Sequence, residues 1–322
     1  MQRPDLFSRG QNGDHGRRVH RNHGGSDTLT DFEAPEKNSV LYFTRRNLIS
    51  YFRDRGTVFF SLLGAFVILG LYAAFLRTAF VSDLEFPGAA NVIDLWMIAG
   101  LMAVVPVTTS LGALGILVND KTSGGFRDFA VSPVSPMSMT FGYILASVAV
   151  SLLMSVIVLV FCQIYMAAIG GTVLNAVQLV KVLGVLALSV LSSASVLFFM
   201  VTFINTDGGH SGLSMAVGIL SGFIVGMYIP LGNLPGAVAG VFSAMPMSHS
   251  ASLFRDIIGG EKTSELFAGA PPGMLSDFRH DMGFDLYAGS WAYEPWVSVA
   301  ILAVSAAVFF VLAVLNVGRR KA

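Results

Sequence analysis

Charge is what this sequence has least of. Asp, Glu, Lys and Arg make up 12% of its 322 residues, about half the share of an ordinary globular protein. A chain in water must spend charged residues on its surface, so a reading as two soluble domains is excluded. Net charge is zero, which removes the global basic field that draws a protein to nucleic acid. The one cysteine, Cys162, lies inside an apolar run, so neither a disulfide framework nor a cysteine-built metal site is available. No G-x-x-x-x-G-K-[ST] occurs, so the chain cannot cradle nucleotide phosphates by that means. The first 37 residues contain no apolar stretch of the signal-peptide kind.

Apolar residues are abundant instead. They make up 54% of the chain, with 25 Phe, 14 Met and 34 Gly. That excess needs lipid as its solvent, and glycine is commoner in membrane helices than in soluble ones. Six stretches are long enough to span: 57–76, 92–118, 141–169, 179–204, 211–231 and 296–317. Each is read as a helix, because a helix satisfies its own backbone in lipid. The expected fold is therefore an all-α integral membrane protein with six spans. Pro106 falls inside the second span, where it predicts a kink.

Residues 1–37 are polar and without apolar period, and they read as a disordered tail. His15, His20 and His23 lie there without acidic or cysteine company and are read as part of that tail. Residues 38–322 form the membrane domain. With six spans, fifteen of the twenty Lys and Arg fall on the side of both termini, so the positive-inside bias makes both termini cytoplasmic. No internal repeat of the 3 + 3 kind is visible.

Four segments stand out. Residues 38–56 are amphipathic, with Leu41, Leu48, Ile49, Tyr51 and Phe52 on one side of the wheel. Arg46, Asn47, Ser50, Arg53 and Asp54 lie on the other, with Phe43 and Arg45 as exceptions. Such a helix lies in the interface, with Arg46 and Arg53 toward anionic lipid. The loop 119–136, NDKTSGGFRDFAVSPVSP, sets Asp120, Lys121, Arg127 and Asp128 around Gly124 and Gly125, with Phe126 and Phe129 three apart. An apolar pair flanked by charge on a short helix suits docking into another protein's groove. In the fifth span Ser214, Gly218, Gly222 and Gly226 recur every fourth residue, as Ser147, Ser151 and Ser155 do in the third. Such stripes let a neighbouring helix approach closely. Gly232 to His249 is apolar but broken by Pro and Gly, and it reads as short re-entrant or interfacial helices. If that segment dips inward, Arg255 and Asp256 are partly buried and need partners. Residues 264–294 read as a plain external loop.

Enzyme readings fit less well. Gly209-His210-Ser211-Gly212 spells a G-x-S-G, but a nucleophilic serine needs a histidine within reach. His249 and His280 are expected on the far side of the membrane, so the tetrapeptide reads as a turn and helix start. Asp277, Asp281 and Asp285 recur at i, i+4, i+8 and read as a solvated helix face.

The succession of features then resembles a family. An amphipathic helix, two spans, a charged, glycine- and aromatic-bearing loop ending in SPVS, and four further spans are similar to the permease subunit of ABC type-2 exporters. MPMSHSASLFRDIIGGE at 245–261 is similar to that family's segment before the last helix. The resemblance implies a second permease chain and a separate ATP-hydrolysing subunit, which would hold ATP and Mg. It makes 119–136 the coupling helix, with Asp120, Lys121, Phe126, Arg127, Asp128 and Phe129 toward the ATPase. It makes 38–56 the interface helix, and it implies a multi-pass protein of the cell membrane without catalytic residues or cofactors of its own. The competing readings are an ion-coupled secondary transporter, for which only Asp94 and Lys181 lie near membrane depth, and a membrane scaffold.

Overall fold

The computed structural model describes residues 36–81, 87–125, 136–289 and 291–319. Among these the protein is almost wholly helical. Helix α1 (Glu36–Arg53) comes first, and it starts within the stretch expected as tail; the rest of that tail lies outside the described residues. Asp54 breaks the chain by accepting from the Thr57 amide at 3.1 Å, which caps α2 (Arg55–Leu71). A π-helical turn (Tyr72–Leu76) joins α2 to the short α3 (Arg77–Val81). Then follow α4 (Ala89–Thr122), α5 (Pro136–Ala168), α6 (Ala176–Thr202) and α7 (Asp207–Ile224). The chain closes with α8 (Gly236–Ser243), α9 (Pro246–Leu266), α10 (Met274–Asp281), a two-stranded antiparallel hairpin and α11 (Pro295–Arg319).

Among the described residues five helical segments are long and apolar enough to cross a membrane: Arg55–Val81, α4, α5, α6 and α11. The expected fifth span at 211–231 is different. Its helix, α7, begins four residues earlier and stops at Ile224. At its start Thr206 accepts from the Gly209 amide at 3.1 Å, and polar residues from Asp207 to Ser211 fill the first turns. Soon after its end Gly226 takes a left-handed φ of 73°, which a residue with a Cβ rarely adopts.

Helix α4 is the axis of the fold. Most of its spanning window is buried, whereas that of the first span is almost bare. It runs unbroken through Pro106. Hydroxyls gather beside the proline: Ser151 donates to the Pro106 carbonyl at 3.0 Å and meets Thr109 at 2.9 Å. Thr109 donates in turn to Val105 O at 2.7 Å. This serine of the third-span stripe therefore bonds across the α4–α5 seam and does more than leave room.

The region before α11 departs most from expectation. Helix α9 has 21 residues and a largely buried face; it packs on α4, α6 and α11. The stretch expected as a plain loop holds the end of α9, all of α10 and the hairpin. Arg255 is fully buried, yet its partners are carbonyls: Val225 O at 2.7 Å and Gly283 O at 3.2 Å. Its guanidinium also lies 5.1 Å from the Trp96 ring centre, an arrangement that stabilises a cation without a carboxylate. Asp256 stays half exposed and pairs with Arg279, which also holds Asp285 by two bonds of 2.8 Å. Those carboxylates raise the Arg279 pKa further.

Helix α1 lies against α5, and its wheel is turned from the expected one. Phe43, Asn47 and Tyr51, at i, i+4 and i+8, are buried, whereas Leu41, Ile49 and Phe52 are exposed. The inward face is set by contacts: Arg46 reaches Asp120 of α4, and Tyr51 bonds Ser61 of α2 at 2.8 Å. The closest approach is at Gly142, where a Cβ would stand 2.5 Å from that of Phe43. A Gly142→Leu substitution should therefore displace α1 and lower stability in detergent by about 1–3 kcal/mol, read as a drop in thermal midpoint. Gly64→Ala, where an added Cβ meets nothing within 4 Å, should be neutral or stabilising by up to about 1 kcal/mol.

Candidate functional site

Two adjacent residues at the end of α4 grip opposite sides of the bundle. Asp120 is 5% exposed. Its carboxylate takes both terminal nitrogens of Arg46 from α1, with Nη2 to Oδ1 at 2.8 Å and Nη1 on Oδ2. Tyr143 of α5 donates its hydroxyl to the same Oδ2 at 2.5 Å. Arg46 Nη1 also reaches Asn47 Oδ1 at 2.9 Å. The hydrogen bonds to Asp120 hold the guanidinium pKa above its usual value. One carboxylate thus joins three helices in the paired geometry that makes Arg–carboxylate contacts strong and directional.

Lys121 turns to the other side. Its Nζ donates to the carbonyls of Ile204 at 2.9 Å, Val201 at 3.2 Å and Thr202 at 3.3 Å. These lie at the C-terminal end of α6, where carbonyls lack helical donors and the dipole is negative. Thr122 then meets Asp207 at 3.4 Å, and His210 Nε2 lies 3.1 Å from Leu111 O, so the start of α7 is tied to α4 as well. The residues beside Ser211 thus lie at a helix start. Asp120 and Lys121 therefore make their described contacts within the chain. Phe126, Arg127, Asp128 and Phe129 lie outside the described residues. Arg53 is exposed in the last turn of α1.

Above this root is a cavity of about 620 Å³ walled by α2, α4 and α7. From α2 it takes one helical face, including Thr57, Ser61, Gly64 and Ile68. Among the described residues no ionisable side chain lines it. The small-residue stripe of α7 divides here. Ser214 and Gly218 face the cavity, whereas Gly222 lies against the Tyr228 ring, 2.2 Å from where a Cβ would be, and Gly226 forms the turn.

The opposite end of α4 has a second carboxylate cluster. Asp94, 1% exposed, accepts from Tyr72 at 2.7 Å and from Arg77 Nε and Nη2 at 2.8 and 3.1 Å. Nearby, Asn91 bonds Thr172 at 2.8 Å, and Trp96 donates to Met282 O at 2.7 Å. Sequence reasoning missed Tyr72 and Tyr143, because a tyrosine in an apolar run gives no sign of which carboxylate it will meet.

An elongated buried helix thus carries a carboxylate clamp near each end and borders a cavity within an apolar bundle. Residues 108–315 match the family described as ABC-2 family transporter protein, and the chain belongs to that family. It is a multi-pass membrane permease of the ABC-2 type. A search of curated proteins finds no match.

The root can be tested without a substrate. Asp120→Ala leaves Arg46 without its buried counter-charge and should cost about 3 kcal/mol of stability. Arg46→Ala should cost a similar amount, and the double variant less than the sum, with a coupling energy of about 1–3 kcal/mol. Thermal unfolding of the four proteins in one detergent measures it; additive losses would mean that the pair is not coupled.

Proposed function

We propose that the chain is the membrane-spanning subunit of an ATP-driven exporter, coupled to a separate ATPase chain. The observation that carries this reading is the root at Asp120 and Lys121. A loop with an apolar pair, Phe126 and Phe129, follows within a few residues of a point gripped by three helices and by the end of a fourth. A push delivered to that loop would reach α1 and α5 through Asp120, α6 through Lys121, and α4 directly. ATP and Mg would bind the partner, since this chain has no phosphate-binding loop of the G-x-x-x-x-G-K-[ST] kind.

The rest of the reading follows the same logic. The polypeptide has six spans, with α7 completing the set that the five longer apolar helices begin. Both termini and the 126–129 segment are cytoplasmic, as the distribution of Lys and Arg favours, and the protein resides in the cell membrane. A second permease chain completes the path, and the cavity between α2, α4 and α7 is one wall of it. Transport is then a shift between two exposures of that path, driven by the partner's preference for one of them.

Recovery of the protein in mild detergent should bring with it a chain that carries Walker motifs and hydrolyses ATP. Phe126→Ala with Phe129→Ala should leave membrane abundance level. It should weaken that association by about 2–4 kcal/mol, the cost of truncating two anchors in a small docking segment, or roughly 30- to 1,000-fold in affinity. A protein that transports down an ion gradient with no ATPase bound would contradict the reading.

A further inference from the structure

We infer that Asp94 sets the rotational register of α2, and so decides which side chains of the first span face the cavity. The observation is the π-helical turn at Tyr72–Leu76, where the Arg77 amide bonds the Tyr72 carbonyl five residues back. Positions five apart in an α-helix point about 140° away from each other. A turn that closes i to i+5 takes up one extra residue, and here it brings Tyr72 and Arg77 onto the same side. Both then reach one buried carboxylate, that of Asp94.

The two sides of this turn are held very differently. Above it, Arg77 is bound by Asp94, and Phe80 packs edge-on against Trp96 with ring centres 5.7 Å apart. Below it, Ala65 is the one buried residue of α2, Gly64 and Gly70 have open space where a Cβ would stand, and the ties to neighbouring helices include a hydrogen bond between Ser61 and Tyr51 at 2.8 Å and an edge-on contact of Phe66 with Phe161. Were the clamp released, the better hydrogen-bond geometry of the α-helix would favour closing the turn. The loosely held lower half would then rotate by about 100°, the increment of one α-helical residue. Each cavity position on α2 would pass to the next residue in sequence. Val58, Ser61, Leu62, Ala65, Phe66 and Leu69 would stand where Thr57, Phe60, Ser61, Gly64, Ala65 and Ile68 stand now, so Thr57, Gly64 and Ile68 leave the wall while Val58, Phe66 and Leu69 enter it. Asp94 is thus a positioning residue for a cavity wall that begins one turn below the clamp. The inference concerns the conformation of α2 and holds whatever the cavity carries.

Paired single cysteines test it, in a background where Cys162 is replaced by Ala. With Asp94 intact, an aqueous thiol reagent should label Ile68→Cys faster than Leu69→Cys. Asp94→Ala should invert that preference, a shift of one residue. Deleting Ala74 from the Asp94→Ala protein removes the extra residue and should restore the original preference, which a general loosening would not do. Deletion of Ala74 alone should keep it, because Tyr72 and Arg77 are then four apart on one α-helical face and still meet Asp94. An unchanged preference in a folded Asp94→Ala protein overturns the proposal. If that variant does not fold, the single deletion decides: an inverted preference there overturns it, and a retained one supports it.

Discussion

The carboxylate of Asp120 is the interaction on which the rest of this structure depends. It is buried at the end of α4 and accepts from Arg46 and Tyr143, so three helices share a single anion. A lone carboxylate there would be expensive, and its full set of donors turns the cost into a constraint. Helix α1 cannot leave α5 or α4 without exposing one charge and stranding another. Because Lys121 follows directly and holds the end of α6, the same turn of α4 fixes four helices. The free face of α1 carries Leu41, Ile49 and Phe52.

The bundle is accordingly of two kinds. Helices α1, α4, α5 and α6 are joined by charge and hydroxyl contacts near the root and across the Pro106 seam. Helices α2 and α7 wall the cavity with small and neutral residues and bury little of their own surface. Such a division suits transport: a stiff part accepts a push, and a loosely packed part changes what it exposes. At the far end the clamp on Asp94 is the counterpart of the root, and Arg255 shows a different solution, a buried cation stabilised by carbonyls and the Trp96 ring.

Much of the fold is legible in the sequence because lipid imposes long apolar runs. The runs at 57–76, 92–118, 141–169, 179–204 and 296–317 all lie within or nearly within helices of the structure. What hydropathy could not locate was α9, whose His249, Arg255 and serines are polar by scale yet buried by contact. The end of α7 was misplaced because apolar residues continue past Gly226 while the helix does not. The rotation of α1 was misread because a wheel sorts residues by polarity, whereas contact across Gly142 selects Phe43 and the charge at Asp120 selects Arg46. Asp120 and Lys121 drew notice by their loop as residues toward the ATPase; their contacts within the chain needed the third dimension.

The proposed mechanism has α1, α4, α5 and α6 moving as one body while α2 and α7 move against it. Spin labels at exposed positions test it directly, one pair at Ser50 and Met137 within the body and one at Phe59 and Met215 on the cavity helices. Distances would be measured by pulsed electron resonance in the complex with the proposed ATPase, with and without a trapped nucleotide. The account predicts an unchanged distribution for Ser50 and Met137 and a shifted one for Phe59 and Met215. A shift of equal size in both pairs would contradict it.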